Sequence, residues 1–365
     1  MQVKHLKSLI NRIDYGNNIS NDELTELISL FYDEYSMADL EGSEDLLMLL
    51  KSRARAKSKS VWGNRIYQHC MIEISNRCQN DCYYCDIRHG NTEIPRYNLK
   101  KSEILETIKP YYKVGIRDFI LLSGEKAHKS DEITDIVHYI KSYYPDTTLT
   151  LGLGIADKKA YNEWREAGAD KYMLREETID EARYMMLHPA YMKLEKQVDS
   201  LYDLRNLGYQ VDMRFTLGTP YQSPDSLAEM LCFIKDFGPS SVALSPFVPS
   251  PDSEFRHHNE CSLTLITAMT SLLRLLMPKL IIPATSTMDA ISEQGTIQGI
   301  LSGANITIHN ITPDIYRNYR SDINFGSVNP VDEALILGLD KLGYELFYRH
   351  DYDTKRSSCA HAPRI

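Results

Sequence analysis

The chain has 365 residues, 43% hydrophobic and 25% charged, with a net charge of −9. Such a length accommodates two ordinary domains or one large α/β barrel, and the composition excludes a disordered or fibrous protein. The acidic balance argues against nucleic acid or an anionic membrane as partner.

The opening residues, MQVKHLKSLINRIDYG, are charged and helix-periodic. They lack the apolar core and cleavage site of a signal peptide, and no window of the chain approaches 18 uninterrupted apolar residues, so a cytoplasmic protein without a membrane span is expected. Leu6, Ile10 and Ile13, then Leu24, Leu27, Ile28 and Phe31, then Leu46 to Leu50 recur at helical spacing. Residues 1–62 are therefore predicted to be helices that pack as a lead-in layer. The basic run KSRARAKSKS within them, from Lys51 to Lys59, reads as a solvated helix face.

From residue 63 the pattern changes. Eight short β-branched or aliphatic runs follow: RIYQHCMIEIS, DFILLSG, TLTLGLG, KYMLREE, QVDMRFTLG, SVALSPFV, KLIIPATS and ANITIHNI. Helix-length segments separate them, among them 102–115, opening on Ser102 as a cap with Glu103 in its first turn, 130–144, 157–168 and 223–238. Eight such repeats predict a complete (β/α)8 TIM-type barrel over residues 63–320. An open doubly wound sheet gives the same alternation. The strand count favours the barrel, and so do the polar residues at strand C-terminal ends: Ser75 and Asn76, Ser123 to Glu125, Arg175 to Thr178, Thr285 to Thr287, His309 and Asn310. Residues 321–365 form a short extension, with a helix over 329–344 and the tail DYDTKRSSCAHAPRI.

Three of the seven cysteines fall in 78-CQNDCYYC-85, directly after the first strand. In a reducing compartment such clustering speaks for metal or redox chemistry rather than disulfides. A structural zinc is one reading, since Cys78, Cys82, Cys85 and His89 offer four ligands, and it would make the protein a zinc-stabilised binding barrel. Structural zinc modules usually join more distant ligand pairs. The other reading is a [4Fe-4S] cluster, in which three thiolates hold three irons and leave the fourth open for a ligand. Cys70, Cys232, Cys261 and Cys359 are isolated and are assigned no chemistry; Cys70 and Cys232 are expected in the core.

Cys78-x3-Cys82-x-Tyr84-Cys85 resembles the CxxxCxΦC signature of the radical S-adenosylmethionine (radical SAM) superfamily. The resemblance implies an open iron that chelates the methionine part of SAM, and reductive cleavage of SAM to a 5′-deoxyadenosyl radical. Ser123-Gly124-Glu125 resembles the family's GGE element, whose backbone meets the methionine ammonium, with glycine permitting close approach. Arg175 would serve a carboxylate and Glu177 an ammonium or hydroxyl; Tyr84 and Thr150 complete the implied cofactor contacts.

The similarity continues through 74-ISNRCQNDCYYCDIR-88, 96-RYNL-99, 121-LLSGE-125, 148-TLTLG-152, 168-GADKYMLREET-178, 244-LSPFVPSPDS-253, 282-IPATSTM-288 and 303-GANITIHNITPDIYR-317. These stretches resemble the branch of biotin synthase, methylornithine synthase and the [FeFe]-hydrogenase maturase HydE, and HydE most. The branch implies a small amino-acid-like or iron-cysteine substrate in a cavity lined by Thr148, Arg175, Thr285, Ser286 and Tyr316. It implies also a reducing partner such as ferredoxin or flavodoxin, and work alongside other hydrogenase maturation proteins. A carbon-skeleton mutase resembling methylornithine synthase is the alternative. The chain departs from these relatives at Gln197, where they carry an arginine for the SAM carboxylate. It also departs at Lys126, Ala127 and His128, and the second, C-terminal cluster motif that some HydE members carry is absent, with Cys359 alone.

Overall fold

The computed structural model describes residues 2–33, 37–38, 40–317 and 333–348. Three helices lead in: α1 (Gln2–Asp14), α2 (Asn21–Tyr32) and α3 (Ser43–Trp62). Their apolar stripes are buried as the spacing requires, through Leu6, Ile10 and Ile13 in α1 and Leu24, Leu27, Ile28 and Phe31 in α2. Ser20 and Glu23 close a reciprocal capping box at the start of α2. In α3 only Leu46 and Leu50 of the Leu46–Leu50 run are buried, while Met48 faces outward.

The basic run of α3 is not a purely solvated face. Lys57 and Arg53 pair with Asp14 at 3.1 and 3.4 Å, and Lys51 donates to Gln298. Arg55 donates to the Tyr344 hydroxyl and the Leu342 carbonyl at 3.0 and 3.1 Å. Charges placed for solubility thus also tie α3 to α1, the barrel and the C-terminal segment.

All eight predicted strands form, and all are parallel. They are β1 (Arg65–Glu73), β2 (Asp118–Leu122), β3 (Thr148–Gly152), β4 (Lys171–Glu176), β5 (Gln210–Leu217), β6 (Ser241–Pro246), β7 (Pro283–Thr285) and β8 (Ile306–Asn310). Their order around the sheet is β6-β5-β4-β3-β2-β1-β8-β7. The ends meet at a parallel bridge between Ser241 and Ile281, where Val242 N–H donates to the Ile281 carbonyl at 3.0 Å. A barrel results, and the open sheet is set aside.

Between the strands run α4 (Lys101–Lys113), α5 (Ser130–Tyr143), α6 (Lys158–Ala167), α7 (Glu181–Leu187), α8 (Leu194–Asn206), α9 (Pro224–Phe237), α10 (Leu263–Leu276) and α11 (Gly295–Leu301). Helix α4 starts one residue before the expected Ser102 cap: Lys100 is the N-cap, and the Glu103 carboxylate accepts from Lys100 N–H at 2.8 Å. Strand period sorts side chains between helices and lumen. In β5, Val211, Met213, Phe215 and Leu217 are buried on one face, which leaves Asp212, Arg214 and Thr216 on the other.

After β8 come a single turn, α12 (Asp314–Arg317), then α13 (Glu333–Lys341) and β9 (Glu345–Phe347). Strand β9 was not anticipated; it pairs in parallel with the start of β1, Arg65 opposite Glu345, so the C-terminal segment is tied to the base of the barrel. The boundary drawn at 320/321, the first residues of the helix expected over 329–344, and the tail with Cys359 lie outside the described residues. Among the described residues no helix is long and apolar enough to cross a membrane.

Among the described residues the largest fully buried side chain is Arg274 of α10, whose guanidinium donates to the carbonyls of Gly303, Pro278 and Leu280 and to Asn305 Oδ1 at 2.7–2.8 Å. Those acceptors join α10 to the turn before β8. Arg274→Met keeps the volume and removes the side-chain donor from the Gly303, Pro278 and Leu280 carbonyls, while Asn305 Oδ1 keeps Ile282 N–H. We expect it to cost on the order of 3–5 kcal/mol, read as a lowered urea midpoint of the cluster-free protein.

Candidate active site

The site begins where β1 ends. Residues 76–98 leave the barrel and return through an antiparallel bridge between Ser75 and Asn98. Arg96 holds this excursion together: it donates to the carbonyls of Asn76, Ile87, Arg88 and Asn91 at 2.6, 2.9, 2.6 and 2.7 Å. One guanidinium thereby fixes the ends and middle of a loop that has no ladder of its own. Arg96→Ala is expected to speed amide exchange across 77–95 at least tenfold and to lower iron retained after reconstitution, with the barrel's circular dichroism unchanged.

The loop leans on the end of β2. A Cβ at Gly124 would overlap the Arg77 carbonyl and come within 2.6 Å of Cys78 Cβ. Glycine at this position is therefore required by the protein's own cysteine loop, not only by a ligand. Gln79 N–H donates to the Glu125 carbonyl at 3.1 Å, and Asn80 N–H to Cys78 Sγ at 3.4 Å. Glu125 Oε2 accepts from Ile155 N–H at 3.0 Å, which anchors the β2 end to the β3 end.

Cys78, Cys82 and Cys85 all line one cavity of about 130 Å³ over the barrel mouth. Ser123, Gly124, Glu125, Tyr84, Arg175, Glu177 and Gln197 line it too. Burial pushes all three thiols above their ordinary pKa, Cys85 to about 12, with Arg175 pulling the other way. Buried thiols of this kind stay protonated until a cation takes the protons' place. His89 is exposed, and its ring lies 3.3 Å from the Cys78 carbonyl rather than among the thiols. Among the described residues no three His, Cys, Asp or Glu side chains stand together so as to hold one metal ion.

Arg175 leaves the end of β4 with its surface open to the cavity. Burial disfavours its cation, and the nearby Glu177 and Asp86 carboxylates favour it. Glu177 is 2% exposed and is nonetheless held below the ordinary carboxylate pKa. Burial raises it, but His188 at 3.6 Å, Arg175 and Tyr84 together outweigh that. His188 is itself oriented by Nδ1, 3.0 Å from the Tyr184 carbonyl, and by stacking on Tyr184 at 4.0 Å between ring centroids. The neighbouring Glu176 has the opposite environment: burial and the Glu177 charge push its pKa well up. Gln197 is buried and donates to the Arg175 carbonyl, so it fixes the strand end that carries the arginine.

A second cavity adjoins the first and shares Glu73, Tyr84, Cys85, Ile87, Arg175 and Arg214 with it. Its further lining is hydroxyl-rich, with Thr216, Ser245, Ser250, Ser286 and Thr287, beside Asn310.

Of the expected substrate residues, Arg175 and Ser286 line the second cavity. Thr285 lies just beneath, its hydroxyl 2.8 Å from Thr287 Oγ1. Thr148 opens β3 and so stands at the end of the barrel opposite the thiols, and Thr150 is buried mid-strand on the face of Gly152; neither lines either of these two cavities. Tyr316 is also placed elsewhere: it stacks on Tyr97 and donates to Glu103 Oε1 at 2.8 Å, its hydroxyl engaged outside both cavities. Cys232 is half-buried rather than a core residue, whereas Cys261 is buried. Arg96, His188 and Arg214 were not singled out from the sequence. For Arg214 the signal was present, because the polar phase of QVDMRFTLG faces the lumen of any barrel.

Fold and site together define an α/β barrel with three cysteines opening onto one cavity above the barrel mouth. The profile of the Radical SAM superfamily matches residues 72–234. The [FeFe] hydrogenase maturase subunit HydE of Thermotoga maritima is 34% identical over 277 residues, 76% of this chain and 78% of the relative. The chain belongs to the radical SAM superfamily, and within it to the branch that includes HydE. The 3-methylornithine synthase of Methanosarcina acetivorans is 26% identical and covers 84% of this chain and 83% of its own. Among solved structures, methylornithine synthase superposes with a TM-score of 0.78 at 23% identity, over 95% of this chain and 99% of that one. The maturase HydG superposes with a TM-score of 0.77 at 18% identity, over 97% and 78%; both confirm the fold.

The cofactors of this family are a [4Fe-4S] cluster and SAM. The residues present fit them. Three thiols open onto one cavity without a fourth protein ligand among them, as a cluster with a free iron needs. Glu177 Oε1 is buried there with no hydrogen-bond partner among the described residues, an acceptor awaiting an ammonium or hydroxyl.

Proposed function

We propose that this radical SAM enzyme acts, as HydE does, in maturation of the [FeFe]-hydrogenase H-cluster, on a small amino-acid-like or iron-cysteine substrate. The observation that carries the reading is the 34% identity to HydE across three quarters of the chain. The polar cavity that continues below the SAM site supports it, since it offers a seat for a small polar molecule.

In this reading Cys78, Cys82 and Cys85 hold the cluster. Ser123, Gly124 and Glu125 offer the β2-end backbone to the methionine ammonium, Arg175 its guanidinium to the carboxylate, and Glu177 its free oxygen to an ammonium or hydroxyl. Tyr84, whose hydroxyl lies 3.5 Å from His188 Nε2, forms part of the wall between the two cavities. When bound, the cluster and SAM supply a reductively generated 5′-deoxyadenosyl radical. The chain's own part is to hold the reactants in line and to keep water out. Ferredoxin or flavodoxin as electron donor, other maturation proteins as partners, and a cytoplasmic setting belong to the same reading.

Anaerobic incubation with SAM and dithionite, with and without an iron-cysteine synthon, tests it. We expect 5′-deoxyadenosine formation to rise at least tenfold with the synthon. Stimulation by a free amino acid instead, with a rearranged amino acid as product, would replace it by the methylornithine-synthase-like mutase.

A further inference from the structure

A third cavity, of about 170 Å³, lies between the segment that follows β2 and the one that follows β3. Ser123 and Ile155 line both it and the first cavity, so the two share a wall. Its volume is on the order of ten times what one water needs, enough for a free amino acid. The floor is apolar. Ile133, Leu153 and Trp164 are buried there, and the indole is fixed by its Nε1, which donates to the Ser130 carbonyl at 3.1 Å.

Three polar side chains of the lining point to a ligand. The His128 side chain is 6% exposed, and its Nε2 has no hydrogen-bond partner among the described residues. Nδ1 lies 3.5 Å from Glu132 Oε2. Burial lowers the pKa of the ring, against the pull of Glu132 and the Ile74 carbonyl. A neutral imidazole with its proton toward Glu132 presents Nε2 as an acceptor, and a buried acceptor without a donor is costly. Asp157 adds a carboxylate, whose Oδ1 also caps α6 by accepting from Ala160 N–H at 2.8 Å. Lys126 is the cation, exposed at the lip. It sits at φ +54 in a turn closed by Ala127 N–H on the Gly124 carbonyl at 3.4 Å, a conformation that glycine or asparagine takes at less cost. A lysine held there points to a use for its side chain.

We propose that this cleft binds a free amino acid with an apolar side chain, and that its occupant is the methionine released from SAM across the shared wall. The ammonium meets His128 Nε2 and Asp157, and the carboxylate meets Lys126. The thioether lies on Trp164, a contact that sulfur makes favourably with an aromatic ring. A simple anion would face Asp157 and a simple cation Lys126, so a zwitterion is the class that suits both. This rests on the reading of the first cavity as the SAM site.

The probe is L-selenomethionine, soaked into anaerobic crystals of the cluster-loaded enzyme with saturating SAM and no reductant, so that no SAM is cleaved. Anomalous scattering is expected to place selenium against Trp164 with SAM still in the first cavity, and to lose that peak in His128→Leu. By equilibrium dialysis of the SAM-saturated enzyme, labelled methionine is expected to bind stoichiometrically, and at least tenfold more weakly in His128→Leu and in Lys126→Ala. Glycine, which lacks the apolar body, should bind at least tenfold more weakly than methionine. SAM affinity should stay within twofold of wild type in both variants. No selenium in the cleft, methionine binding only by displacing SAM, or undiminished methionine affinity in either variant would each overturn the proposal. SAM density in the same crystals reports separately on the first cavity. SAM found elsewhere would end that reading and the link to released methionine, while selenium against Trp164 would still uphold the amino-acid site.

Discussion

Cys82→Ala is expected to yield a folded, colourless protein that binds far less iron than the wild type's about four per chain and forms no measurable 5′-deoxyadenosine, a loss of at least a thousandfold. The reason is a count of ligands. In the proposed assignment three thiols serve three irons, and His89 cannot replace one of them, being exposed with its ring at the Cys78 carbonyl. The fold should not follow the cluster. Cys82 is half-buried, with Met192 Sδ 3.9 Å from its sulfur, so the urea midpoint of the metal-free protein should move by no more than about 1 kcal/mol. His89→Ala is the control. It should retain full iron and colour, whereas a colourless wild type carrying one zinc, lost in His89→Ala, would restore the zinc-stabilised binding barrel.

How far the sequence led to this site depends on which physical signal each part leaves. Strands bounded by turns and separated by amphipathic helices leave a periodic trace, and all eight were legible, down to the short β7. Three cysteines in eight residues are legible because few other arrangements need them. Strand β9 was missed because three residues, Glu345 to Phe347, are too short to show a period, and only their pairing with β1 defines them. Thr148 and Tyr316 were drawn in by resemblance of flanking stretches, yet depth along a strand decides which lumen residue meets a ligand. Thr148 is the first residue of β3, several residues below the mouth. The single turn of α12 carries Tyr316 to Tyr97 and Glu103 instead. Arg96 is ordinary in sequence, and its four carbonyl partners come together only in the folded loop.

The charge balance around Glu177 was likewise invisible before folding, and it makes the second large prediction. Glu177→Gln keeps the shape and removes a charge that the site has gone to some length to preserve. The carboxylate is buried, which by itself raises its pKa, yet His188, Arg175 and Tyr84 hold it below the ordinary value of 4.5. A carboxylate with a lowered folded pKa contributes stability that is complete above its unfolded pKa and is lost as pH falls through the folded one. In the variant that contribution is absent at every pH. At pH 7 the cost should be on the order of 3–5 kcal/mol, because Arg175 keeps its charge with one anion fewer. The deficit should hold down to about pH 5 and narrow below the ordinary 4.5, as the wild type loses its own contribution, so urea midpoints of the two proteins should converge in acid. SAM affinity by equilibrium dialysis should fall at least tenfold, since Oε1 is the acceptor left free for the ligand. A variant equally destabilised but binding SAM as tightly as wild type would make Glu177 a structural partner of Arg175 and His188 alone. Equal midpoints at pH 7 would show that the carboxylate is not held ionised at all.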